Sequence, residues 1–103
     1  MSGGAEAALV TYRARGDRFD SRSERNKFYR GLFGYRRTVR RNDTVYEYEK
    51  DGLMDDIPHI KVADAVFIVP RSHLDRVRDY LRDWTGKVEF RVFMIVLEDP
   101  PDW

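Results

Sequence analysis

The sequence predicts an α+β protein, with an antiparallel sheet that carries two helices on one face. Three patterns support this class: a strand, helix and strand over residues 65–97, a helix over residues 21–34, and two β-prone runs around a turn at residues 42–43. The predicted order is strand, helix, strand hairpin, strand, helix, strand. With the hairpin counted as an elaboration, this order matches the ferredoxin-like βαββαβ plan.

The first predicted strand runs from Ala8 to Arg15, where apolar and polar side chains alternate. Such alternation is typical of a strand with one buried face. Tyr12 falls on the core side, and Arg13 falls with Arg15 on the other side. We therefore expect the open face of this strand to be basic.

The first predicted helix begins at Ser21 and ends near Gly34. Ser21 and Glu24 have the spacing of a capping box, in which a hydroxyl and a carboxylate accept the free N–H groups at a helix start. Lys27 and Arg30 fall on the outer side of this helix, where we expect a solvated face.

A hairpin follows, because the β-prone runs Tyr35–Arg41 and Thr44–Lys50 flank the turn-prone pair Asn42 and Asp43. Cross-strand pairs of arginine and glutamate would partly neutralise it, but each exposed pair contributes only about 0–1 kcal/mol. Four arginines face two glutamates in the two runs, so positive charge remains.

The second half of the chain is predicted to form a short helical turn and loop over residues 51–64, then a strand, a helix and a last strand. Ser72 and Asp75 repeat the capping-box spacing. The apolar stripe of the helix, which must pack on the sheet, consists of Leu74, Val77, Leu81 and Trp84. Gly86 is placed to end the helix.

The last strand is apolar on both sides toward its end, with Phe93, Ile95 and Leu97 on one side. A sheet with helices on one face leaves its other face uncovered, and a large exposed apolar stripe marks association. We therefore predict a homodimer through the open sheet face or the edge of the last strand, with Trp103 at the same interface. Alternatively, the hairpin or the tail with Trp103 folds over this face.

The chain of 103 residues is expected to be one domain over residues 8–99, with a flexible lead at 1–7 and a tail at 100–103. It has no cysteine, which excludes disulfides and thiolate metal sites. No apolar run approaches the ~18 residues of a membrane span, so we expect a soluble, cytoplasmic protein. The absence of glutamine and cysteine and the high charge content are typical of thermophilic proteins.

Charge is distributed unevenly along the chain. Residues 1–41 contain 11 basic and 4 acidic side chains, whereas residues 42–103 contain 8 and 14. This asymmetry indicates an anionic partner for the first half, or pairing of the two halves with each other. No glycine-rich phosphate loop or dinucleotide fingerprint is present, so no cofactor is expected.

Arginines interleaved with aromatic residues favour RNA or DNA as the partner, because guanidinium groups bind phosphates and rings stack on bases. The predicted contact residues are Arg13, Arg15, Tyr35, Arg36, Arg37, Arg40 and Arg41. The consensus of the common RNA-recognition motif is missing. Alternatively, the same arginines could serve only to hold the hairpin together through ion pairs.

Two further functions stay open. Asp55, Asp56 and His59 could hold magnesium or manganese for phosphodiester cleavage, although their spacing belongs to no known metal motif, and solvated loop acids are the simpler interpretation. A regulatory adaptor, whose basic half meets an acidic protein surface, is the third class.

Three segments carry a resemblance to a known family: LVTYRARGD at residues 9–17, RNKFYRGLFGY at 25–35 and VFIVPRSHLDRVRDYLRDW at 66–84. Together they resemble the small dimeric CRISPR-associated nucleases that partner the spacer integrase. Where that family has a metal-binding aspartate after the tyrosine, this chain has Arg13. The resemblance therefore implies a ferredoxin-like dimer that binds nucleic acid without metal-dependent cleavage.

Overall fold

The computed structural model describes residues 4–102. Its elements are β1 (Ala5–Ala14), α1 (Arg22–Phe33), β2 (Tyr35–Arg41), β3 (Thr44–Lys50), β4 (Ile60–Ala63), β5 (Val66–Pro70), α2 (Leu74–Arg82) and β6 (Val88–Leu97). The predicted α+β class, with an antiparallel sheet and two helices, is confirmed. The exact order βαββαβ is not matched, because six strands are present.

The main sheet has four strands in the order β4-β5-β1-β6, and each neighbouring pair is antiparallel. Strand β1, one of the two inner strands, begins at Ala5, earlier than the predicted Ala8, because its first residues already pair with β6. Ala7 is opposite Ile95 of β6 and is fully buried. The lead predicted for residues 1–7 is therefore sheet from Ala5 onward.

Strand β4 lies where the sequence predicts a loop. It is only four residues long, its pairing with β5 is interrupted by an irregularity between Lys61 and Ala63, and three of its residues are exposed. A short, exposed edge strand has no alternating apolar pattern that a sequence could display. The preceding turn at Leu53–Asp56 is a single 3-10 turn, as predicted.

Both helices pack on one face of the main sheet. The centre of this layer is formed by the fully buried residues Phe28 and Leu32 of α1 and Val77 and Leu81 of α2. They meet alternate residues of β1, among them Val10, so the opposite face of the sheet carries no helix. No helix in the described range is long and apolar enough to span a membrane.

The two helix starts differ. At α1 the serine half of the predicted capping box is present, because the Glu24 N–H donates to Ser21 Oγ at 3.1 Å. The Glu24 carboxylate accepts the N–H of Asp20, one residue before the cap, at 2.9 Å. At α2 the predicted cap is wrong. A 3-10 turn at Arg71–His73 leads into the helix, and no side chain caps Leu74.

The predicted hairpin is confirmed with the predicted bounds, as a separate two-stranded sheet of β2 and β3. Asn42 and Asp43 have φ of 47° and 65°, the backbone that a tight two-residue hairpin turn requires. Every strand residue of the hairpin is exposed except Val39, which is half-buried. The hairpin therefore does not cover the open face of the main sheet.

Two glycines form the base of the hairpin. Gly34 has a φ of 76°, and a Cβ on Gly52 would overlap the backbone of Phe33 and Gly34. The Gly52 N–H donates to Asp55 Oδ2 at 2.7 Å, and Met54 in the same turn is buried. The chain enters the hairpin at Gly34 and leaves it at Gly52, and the two backbone segments are in close contact there. We call this contact the glycine crossing.

Candidate nucleic-acid interface

The two sides of the hairpin differ in chemistry, because successive side chains of a strand point to opposite sides. The strand register places Arg36, Thr38, Arg40, Val45, Glu47 and Glu49 on one side, here called the compensated side. It places Tyr35, Arg37, Val39, Arg41, Thr44, Tyr46, Tyr48 and Lys50 on the other, here called the cationic side.

The compensated side carries two arginines and two glutamates, so its formal charges cancel. Arg36 Nη2 lies 3.2 Å from Glu49 Oε1, and both side chains are more than half exposed. An exposed pair of this kind contributes only about 0–1 kcal/mol, so its main effect is to neutralise Arg36 locally.

The cationic side carries Arg37, Arg41 and Lys50 and no carboxylate. Within residues 4–102 none of these three side chains forms an ion pair. Tyr46 and Tyr48 are 46% and 52% exposed beside them. Phosphate oxygens and nucleobase faces are the groups that such an array of guanidinium forks and open rings binds.

Arg13 and Arg15 do not share this surface. Both belong to the β1 region of the main sheet, where Arg15 Nη1 lies 3.0 Å from Glu89 Oε1. Arg13 is exposed on the face away from the helices, opposite Glu89 in the strand register. The structure therefore separates the seven predicted arginine and tyrosine contacts into three groups, on the sheet and on the two sides of the hairpin.

The candidate metal residues do not assemble. The Asp55 carboxylate accepts the Gly52 N–H at the glycine crossing. His59 Nδ1 lies 2.8 Å from the Ile57 carbonyl oxygen, and the imidazole packs edge-on with the Phe67 ring. No group of three or more His, Asp or Glu side chains among the described residues could hold a metal ion.

The end of β6 is exposed on both sides, as the sequence indicates. Phe93 is 49% exposed on the face without helices, where Ile95 and Leu97 are half-buried, and Met94 and Val96 are 52% and 65% exposed on the other. Strand β6 also lies at the edge of the sheet. Trp103, predicted at the same interface, lies outside the described residues.

Sequence reasoning missed a cleft beside the base of the hairpin. Lys27 and Arg30 of α1 line it together with Tyr35, Tyr80 and Trp84. The Arg30 guanidinium lies over the Tyr35 ring, 5.1 Å from its centre. The available signal was the position of both cations on the outer side of α1, which by itself indicates only a solvated helix face.

The Tyr80 phenol in this cleft is half-buried and donates to the Phe28 carbonyl oxygen at 2.7 Å. Burial is the largest cause that raises the pKa of Tyr80, and the nearby Asp83 charge adds to it. The hydrogen bond to the Phe28 carbonyl oxygen holds the Tyr80 ring in place.

Comparison with family models, with curated proteins and with solved structures found no match for this chain.

Proposed function

We propose that the protein binds RNA or DNA through the cationic side of its hairpin. Arg37 and Arg41 contact phosphates, while Tyr46 and Tyr48 stack on unpaired bases. The protein acts in this proposal as a binding protein. Its ligand is single-stranded or locally unpaired, because rings can stack only on bases that are not enclosed in a duplex.

The proposal rests on the sorting of charge between the two sides of the hairpin. If the arginines served only to hold the strands together, the glutamates would be expected opposite them on both sides. Instead Glu47 and Glu49 both lie on the compensated side, and the cationic side keeps its charge next to three tyrosines. This arrangement provides little stability and suits a polyanionic ligand.

Spacing along β3 supports stacking. Two residues of a strand advance by about 6.8 Å, which is twice the ~3.4 Å rise of stacked bases. Tyr46 and Tyr48 therefore have the separation at which one base fits between two rings.

The test compares two double variants that remove equal charge from opposite sides of the same strand. Arg37→Ala with Arg41→Ala should weaken binding of a fluorescent single-stranded oligonucleotide at least tenfold. It should also reduce the slope of log affinity against log salt by about 1.4, since each single-strand phosphate contact contributes about 0.7. Arg36→Ala with Arg40→Ala is the matched control, with an expected loss below threefold.

Equal losses in the two variants would contradict the assignment of the cationic side. A folded wild-type protein that binds neither RNA nor DNA at low salt would overturn the proposal and favour the adaptor. Cleavage of the oligonucleotide in magnesium or manganese would favour the nuclease alternative instead.

We also propose that the main sheet and its helices form a ferredoxin-like unit into which the hairpin is inserted. Removing β2 and β3 from the chain order leaves βαββαβ, and the sheet order β4-β5-β1-β6 supports this interpretation. The resemblance to the CRISPR-associated family remains a prediction from the sequence.

A second part of the proposal is a homodimer through β6. This ten-residue strand forms one edge of the sheet and ends in side chains exposed on both faces. An unpaired edge is a template for another strand, and a second copy offers the same edge related by a twofold axis.

The mass of the protein in solution tests the dimer. Met94→Lys with Val96→Lys should convert a dimer into a folded monomer, since both side chains are more than half exposed. Val62→Lys is the control, because Val62 is 55% exposed on the opposite edge strand. A monomeric wild-type protein at about 100 µM would overturn this part.

A further inference from the structure

We infer that the cleft at the base of the hairpin is a binding site for one nucleotide of the bound strand. Its phosphate lies against Lys27, Arg30 and Lys50, and its base lies against Tyr80 and Trp84. This inference rests on the proposed function and adds a second, separate contact region to the cationic side.

Three parts of the chain form the cleft. Helix α1 contributes Lys27 and Arg30, and the hairpin contributes Tyr35 and Lys50. The α2 region contributes Tyr80 and Trp84, here called the aromatic wall. The volume is about 390 Å³, within the ~300–1,000 Å³ of small-ligand sites. A single nucleotide is a ligand of suitable size for such a volume.

The aromatic wall is held rigidly by the core. The Trp84 ring packs edge-on against Phe28 with centres 5.4 Å apart, and it also contacts Phe19 at 6.0 Å. The Tyr80 ring stacks on Phe28 at 5.9 Å. Because these rings are already ordered, stacking a base on them costs little conformational entropy.

Gly31 keeps the helix side of the cleft open. A Cβ at this position would overlap the Tyr80 hydroxyl group. The absence of a side chain lets Tyr80 lie directly over α1 and donate to the Phe28 carbonyl oxygen. A helix-interior glycine costs about 1 kcal/mol relative to alanine, and this close approach is its physical reason.

The charge in the cleft favours an anion. Its lining contains three cations and one carboxylate, Asp51. None of Lys27, Arg30 and Lys50 forms an ion pair in the part of the chain that the structure describes. Arg30 instead lies on the Tyr35 ring, which orients its guanidinium without neutralising it.

The cleft is continuous with the cationic side. Tyr35 and Lys50 line the cleft and also belong to the cationic side. A second concavity of about 230 Å³, lined by Tyr35, Arg37 and Arg41 among others, follows along the hairpin. A nucleic-acid strand bound along the cationic side of the hairpin therefore reaches the cleft at Tyr35.

Tryptophan fluorescence tests the inference. The chain has two tryptophans, so Trp103→Phe leaves Trp84 as the sole tryptophan, which can be excited separately from the tyrosines. A single-stranded oligonucleotide should quench Trp84 in a saturable manner. Lys27→Ala with Arg30→Ala should raise the concentration at half-quenching at least fivefold. Arg22→Ala with Arg25→Ala, two exposed cations of the same helix that do not line the cleft, should change it less than twofold.

Adenosine monophosphate, added alone, separates two sources of the nucleotide. Quenching by this mononucleotide means that a free nucleotide suffices, whereas quenching by the oligonucleotide alone means that the neighbouring hairpin contacts are required; both support the site. Binding of the oligonucleotide without any quenching of Trp84 would overturn this inference and leave the proposed function intact. Absence of all oligonucleotide binding would overturn both.

Discussion

The four-stranded sheet and the hairpin are both antiparallel, but they are stabilised in different ways. The sheet, its helices and the loops beside them supply every buried apolar residue of the described core, and the hairpin strands supply none. An isolated two-stranded hairpin is only marginally stable in water. Here it depends on its tight turn, its cross-strand pairs and the glycine crossing.

Because of this difference, substitutions that affect stability and substitutions that affect the proposed binding lie in different regions. A substitution in the main sheet changes the free energy of unfolding first, so its effect on a ligand is indirect. A substitution in the hairpin removes little buried area, so its effect on binding can be measured on a folded protein. The hairpin is therefore the region in which the proposed binding can be tested separately from stability.

The largest contrast is expected between Leu32→Ala and Val45→Ala. Leu32 is fully buried beneath the sheet, so its truncation should reduce the free energy of unfolding by about 2–5 kcal/mol. Val45 is 50% exposed in the hairpin, and its truncation should change the same quantity by no more than about 0.5 kcal/mol. Urea denaturation measures both. A similar loss in the two variants would show that the hairpin contributes to the core.

Gly52→Ala tests the connection between the two regions. Its Cβ would overlap the backbone of Phe33 and Gly34, so we expect a loss of about 1–3 kcal/mol and weaker oligonucleotide binding. Gly16→Ala is the control, because the nearest atom to its Cβ would be Arg25 Nη1 at an ordinary 3.7 Å. A Gly52→Ala protein with wild-type stability would contradict the tight crossing.

High pH should weaken the main sheet. Burial, assisted by Tyr29 and Asp64, raises the pKa of Tyr12 to about 12, against about 10 in an unfolded chain. The neutral phenol therefore stabilises the fold fully below pH 10, and this stabilisation is lost as pH rises from 10 toward 12. Tyr12→Phe should show a smaller loss of unfolding free energy over this interval. An unchanged pH profile would contradict the burial of the phenol.

The smallest effect is expected for the ion pair of the compensated side. Because Arg36 and Glu49 are both largely exposed, Arg36→Ala should change the free energy of unfolding by about 0–1 kcal/mol. A double-mutant cycle with Glu49→Ala measures the pair itself. A coupling energy above about 2 kcal/mol would mean that the pair has a structural role in the hairpin.

The sequence predicts most of the elements because each has a strong local signal. The hairpin is fixed by two residues with positive φ between β-prone runs, and the start of α1 by the Ser21 N-cap. The failures have weak local signals. The edge strand β4 has four mostly exposed residues, and the start of α2 depends on a 3-10 turn that propensity does not reveal.

The sequence predicts the candidate site less completely than the fold. Alternation along β2 separates Arg36 from Arg37, but only the register with β3 shows that both glutamates share the side of Arg36. Whether Arg13 and the hairpin arginines meet depends on how the two sheets are arranged, which no local pattern encodes. The cleft joins residues from distant parts of the chain, such as Lys27 and Trp84.

The hairpin joins the rest of the protein at the glycine crossing, so a rotation at this point would move the turn of the hairpin furthest. Seven strand residues extend about 23 Å from this pivot to the turn. A rotation of about 10° at the pivot would therefore displace the turn by roughly 4 Å while Tyr35 and Lys50 hardly move. In the proposed complex, the end of the ligand surface near Tyr35 would keep its position during such a rotation, and the end near Arg41 would move furthest.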